Sequence, residues 1–154
     1  MVKRYKLAAE LSFDYSIIGI ASQLKDYRLC FFINQALGIK LERKGELPVS
    51  KSSDEDLEYY PFFRFFHEAH RLNWFLVPNK NHRQQIMISG LRQLNFFLIS
   101  DGKPPFMSFD GHIQSLRNIA NVQMAQEIVL SKSKSIIPFL QDLELYILEL
   151  DRKK

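Results

Sequence analysis

Cysteine occurs once in the 154 residues, histidine four times, and glycine and proline six times each. A lone Cys30 excludes an intrachain disulfide and any Cys-x-x-Cys redox or zinc pair. There is no Gly-rich phosphate loop, no Gly-x-Ser-x-Gly elbow and no His-Glu-x-x-His, so the familiar phosphate-binding, hydrolase and zinc-protease patterns have no residues to rest on. Long apolar runs are missing too; Ile17-Ile18-Gly19-Ile20-Ala21 is typical, far short of the ~18 residues that suggest a membrane span. The start, Met1 to Leu7, has the basic residues of a signal peptide, but Glu10, Ser12 and Asp14 interrupt the apolar stretch that should follow. These absences point to a cytoplasmic protein with a reduced, buried Cys30, no cofactor, no metal and no membrane association.

What the chain has in excess is phenylalanine, 13 residues, alongside 6 Tyr and 1 Trp. With 46% hydrophobic and 25% charged residues, the composition is that of a globular chain rather than a disordered one. The length suits one domain with an ordinary core. The net charge of +4 is modest, yet no acid occurs between Glu68 and Asp101. Arg71, Lys80, Arg83 and Arg92 fall in that span with His70 and His82, so it is a candidate anion or RNA patch. The plainer alternative is that strand edges and loops carry such charges against aggregation.

Alternation over residues 3–9 suggests a first strand. Residues 15–21 are apolar and β-branched, fitting either a strand or the lead into a helix. Residues 25–37 read as a helix with Tyr27, Cys30, Phe31, Asn34 and Leu37 on one face and Gly38 as a left-handed C-cap. Gly45 to Asp56 reads as a mobile loop, with Pro48 and several Ser residues. Strands are expected near 59–66, 72–77, 84–89 and 94–100. A turn follows at Asp101-Gly102-Lys103-Pro104-Pro105, then a helix over 110–120 with Asp110 as N-cap, and a strand over 122–130. Apolar residues from Ile136 to Leu150 recur at helical spacing, although 143–150 also fits a final strand. The expected fold is a single α+β domain: an antiparallel sheet of about five to six strands, with two to three helices packed mainly on one face.

Few residues invite catalysis. His67-Glu68-Ala69-His70 lacks the four-residue spacing of a helical zinc pair and falls at a turn between strands. Asp54 and Asp56 lie in the expected loop, where nothing holds an acid and a base in register. Phe63-Arg64-Phe65 resembles an RNA-binding strand in composition alone, and paired aromatics on a strand are usually core. Exposure of Phe62–Phe66 as one patch would instead mark an interface.

The run from Phe13-Asp14-Tyr15 through Gly19-Ile20, Lys25-Asp26-Tyr27-Arg28-Leu29 and Ile33-Asn34-Gln35-Ala36-Leu37-Gly38 resembles the IPExxxVDY family of small bacterial proteins. The name-giving motif keeps its frame in Ile88-Ser89-Gly90-Leu91-Arg92-Gln93-Leu94-Asn95-Phe96, with Ser89, Gly90, Asn95 and Phe96 replacing its Pro, Glu, Asp and Tyr. The resemblance implies a cytoplasmic bacterial protein and brings no established activity. Among the matched positions Lys25, Asp26, Arg28 and Asn34 are polar groups on an otherwise apolar helix, and they are the candidate binding residues. The structural alternative is that Asp26 caps the helix and Arg28 pairs with a carboxylate or covers the sheet edge. The expected function is a non-enzymatic protein-interaction or regulatory module with a protein partner. The alternative is an RNA-binding accessory protein that uses the basic segment 69–100.

Overall fold

The β-branched run at the head of the described chain forms a strand, β1 (Ser16–Ser22), and the lead-in it makes to a helix is only a three-residue link. The structure is a computed structural model that describes residues 15–50, 57–102 and 109–152. The strand expected at 3–9 lies outside the described residues, as do residues 51–56 and Lys103-Pro104-Pro105. After β1 come α1 (Asp26–Leu37), β2 (Glu42–Ser50), β3 (Leu57–His67), β4 (Leu72–Pro78), β5 (Phe96–Ser100), α2 (Phe109–Arg117), β6 (Val122–Glu127) and α3 (Ile137–Arg152). Short 3-10 turns occupy Ser89–Leu91 and Lys134–Ile136.

The strands form one sheet in the order β2-β3-β4-β5-β1-β6, antiparallel throughout. β2 to β5 are a meander. β1 slots in between β5 and β6, so the chain must cross over β5, β4 and β3 to reach β2 at the far edge, and α1 lies in that connection. The expected α+β fold is therefore found, with six strands and three helices among the described residues. α1 and α2 cover one face; α3 covers the other.

This double cover explains the aromatic composition. Along β3 the side chains alternate, so Tyr60 and Phe62 join the α3-side core while Phe63 joins the other. Phe62 stacks on Phe75 at 5.7 Å and meets the edge of Tyr146 at 5.2 Å. Of Phe62, Phe63, Phe65 and Phe66, only Phe66 is exposed, so this stretch is core rather than a platform. β1 also runs close to its cover: a Cβ on Gly19 would collide with Leu94, which only glycine avoids.

Several expectations are corrected. Residues 45–50, expected in a mobile loop, belong to strand β2. Its Gly and Pro misled because β2 is the edge strand: Gly45, with φ 85°, sits at a bulge between Arg43 and Glu46, and Pro48 is tolerated at an edge. Residues 84–89 form no strand beyond one bridge, Lys80 to Ile86. Here buried asparagines replace the ladder. Asn79 donates from Nδ2 to the carbonyls of Ile88, Leu91 and Leu94 and accepts from the Ile88 N–H, while Asn81 accepts from the N–H groups of Arg83 and Gln85. Asp110 lies inside the first turn of α2 rather than before it. The stretch 143–150 is helix, continuous with α3.

Candidate functional site

α1 carries the residues singled out from the sequence, and its orientation differs from the expected one. Leu29, Cys30 and Ile33 are its buried positions, whereas Tyr27 and Phe31 are 62% and 56% exposed. The aliphatic stripe takes the core and leaves the aromatic pair, one turn apart, on the outer side. Lys25, not Asp26, occupies the N-cap position; its carbonyl accepts from the N–H groups of Arg28 and Leu29, with no side-chain cap. Asp26 accepts from the Tyr27 N–H at 2.7 Å and places its charge in the first turn, where the helix dipole favours it. The Arg28 guanidinium lies 5.9 Å from the Phe32 ring centroid. Lys25, Asp26 and Arg28 lie at the start of α1 next to Tyr27, and Phe32 under Arg28 meets the Phe31 ring edge at 5.5 Å.

Asn34 does not belong with them. Its Nδ2 donates to the Leu41 carbonyl at 3.1 Å and its Oδ1 accepts from the Leu41 N–H at 2.9 Å, which fastens the link from α1 to β2. Gly38, with φ 67°, ends the helix as expected by donating its N–H to the Asn34 carbonyl. Cys30 is buried; burial first, and the nearby Asp26 second, push its thiol up to about 11, so it is an inert core thiol near neutral pH. Asn95 accepts from the Ser22 N–H at 2.8 Å and thereby fixes the end of β1. Gly90 is exposed in the 3-10 turn.

The basic residues do not converge. Arg71 closes the β3–β4 turn with φ 50° and donates its N–H to the Glu68 carbonyl. Lys80, Arg83 and Arg92 lie beyond the other end of β4, a strand of 7 residues or roughly 23 Å. All four are exposed, but no single patch holds them. His67 and His70 stack with centroids 4.0 Å apart at that turn, and no cluster of three metal-ligating residues occurs among the described residues.

A cleft that sequence reasoning missed opens beside the last turn of α3. Its volume is about 610 Å³, and it is lined by Glu42, Lys44, Arg64, Phe65, Phe66, Asn73, Leu150 and Asp151. Glu42 opposes Arg64, and Phe66 opposes Asn73, so β2, β3 and β4 present these side chains on one face. Arg64 is the floor. Its Nε donates to Asn73 Oδ1 at 3.1 Å, and its Nη1 and Nη2 donate to the two carboxylate oxygens of Asp151 at 3.0 and 3.5 Å. The guanidinium also lies 5.8 Å from the Phe75 ring centroid. Asn73 in turn donates from its N–H and Nδ2 to Asp101 at 2.7 and 2.8 Å. The available signal was Arg64 itself, a lone cation in an aromatic strand, which burial obliges to find partners.

No family model matches the chain, and no match is found among curated proteins. No helix among the described residues is long and apolar enough to cross a membrane.

Proposed function

We propose that this chain is a non-enzymatic interaction or regulatory module that binds a protein partner through the outer side of α1. The observation that carries this is the exposure of Tyr27 and Phe31 on successive turns of a helix whose core positions are already filled. Aromatic side chains of this kind bury large area at low entropic cost and are enriched at the centres of protein interfaces. Lys25, Asp26 and Arg28 supply the polar rim that gives such a contact register. The region falls inside the stretch that resembles the IPExxxVDY proteins, and we read the protein as a bacterial, cytoplasmic member of that type.

The test is affinity capture from the native lysate, with wild type and the Tyr27→Ala/Phe31→Ala variant run in parallel. Stoichiometric recovery of one protein by the wild type, lost in the variant while its melting temperature is kept, is the expected result. Equal recovery by both forms would contradict the α1 surface. Recovery that depends on RNA, abolished by nuclease and by Lys80→Glu/Arg83→Glu, would replace this reading with RNA binding.

A further inference from the structure

We propose that the cleft over Arg64 binds a small organic carboxylate with an apolar tail, and that Asp151 holds the ligand's place when the cleft is empty of it. The site lies at the opposite end of the sheet from the start of α1 and under the other helical layer, so it stands or falls independently of the α1 surface.

A guanidinium carries five N–H donors. One, Nε, is committed to Asn73, whose amide is itself locked by two hydrogen bonds to Asp101. One face of the group is committed to Phe75. These partners come from β4 and the end of β5, the middle of the sheet, and they hold the fork in a fixed direction. The side chain retains only 14% of its exposure, so the group is aimed before any ligand arrives. The two outward nitrogens, Nη1 and Nη2, point to the cleft and to Asp151.

Asp151 is the weakest of the partners. Its side chain is 48% exposed, one of its two contacts is stretched to 3.5 Å, and it sits in the last turn of α3, where the helix dipole disfavours a negative charge. A planar two-oxygen anion satisfies the same donors, and Asp151 itself demonstrates that a carboxylate fits the fork. A doubly charged phosphate is less suited, because Glu42 lines the same cleft. Phe66, 46% exposed, and Leu150 supply an apolar wall, and Lys44, with only a 3.9 Å contact to Glu42, stands at the rim. A volume of about 610 Å³ is in the range of small-molecule sites. The ligand class that meets all of this is a monocarboxylate with a short aliphatic or aryl tail, which exchanges with Asp151 and frees the end of α3.

The experiment is an NMR titration of the full chain with hexanoate, acetate and inorganic phosphate, following the Arg64 Nε–Hε signal and the Leu150 methyls. Saturable shifts of both with hexanoate are expected, with acetate at least about tenfold weaker for lack of a tail. Asp151→Asn removes the internal competitor and should tighten hexanoate several-fold. Arg64→Lys, which keeps the charge and loses the fork, should weaken it about tenfold or more. No saturable shift in either wild type or Asp151→Asn would overturn the proposal. So would equal binding of acetate and hexanoate, or tighter binding of phosphate. Because Asp151→Asn removes only a half-exposed contact, it tests the site even if Arg64→Lys fails to fold.

Discussion

Strand β3 and helix α1 are both rich in aromatics, and they use them in opposite ways. Tyr60 and Phe62 on β3 are wholly excluded from solvent, while Tyr27 and Phe31 on α1 keep more than half of their exposure. A strand second from the sheet edge, with a helical layer on each face, buries members of both alternating sets, Tyr60 and Phe62 on one side and Phe63 on the other, and exposes Tyr59 and Phe66 nearer its ends. A helix buries one stripe, and on α1 the aliphatic residues Leu29, Cys30 and Ile33 already fill it. The same residue type thus reports packing in one segment and surface in the other, according to how many sides of the element are covered.

The comparison breaks most visibly under truncation. Phe62→Ala removes a ring packed against Phe75 and Tyr146 and should cost about 3–5 kcal/mol in chemical denaturation. A cost below about 1 kcal/mol would mean that β3 is not the core described. Gly19→Ala tests the close cover over β1. The added Cβ must displace Leu94, and a loss of about 1–3 kcal/mol is expected, recovered in part by pairing it with Leu94→Val.

The thiol on the buried stripe of α1 gives a third, smaller test. Burial raises Cys30 from its ordinary 9.0 to about 11, so between these values the folded chain keeps a proton that the unfolded chain has lost. Its contribution to stability is complete below about pH 9 and falls as pH rises through about 11. Tyr60, raised by burial and by Glu58, adds a decline in the same direction. Cys30→Ala should therefore show a shallower loss of stability over this alkaline range than wild type, read from denaturation midpoints; identical slopes would place the thiol in contact with water. The smallest effect belongs to the surface pair: Tyr27→Ala and Phe31→Ala should each change stability by no more than about 0.5 kcal/mol.

Much of this fold could be read from local pattern. β3, β4, α1 and its Gly38 cap follow from periodicity and from a residue type with one conformational use. β2 was hidden because edge strands tolerate Gly45 and Pro48, which elsewhere signal loops. The 79–95 segment was hidden because Asn79 and Asn81 bond backbone groups up to 22 residues away, which no periodicity records. The side of α1 that faces outward was misjudged for a related reason: aromatics and aliphatics score alike as apolar, and only the sheet chooses between them. The cleft was the least legible, since it joins Arg64, Asn73, Asp101 and Asp151, partners 9 to 87 residues apart.

The α1 surface is tested most directly by hydroxyl-radical footprinting of the free chain and of the captured complex. Oxidation of Tyr27 and Phe31 should be high in the free chain and strongly suppressed in the complex, with Phe66 and Leu148, exposed elsewhere, unchanged. Equal oxidation of Tyr27 and Phe31 in both states would contradict the assignment of α1 as the contact surface.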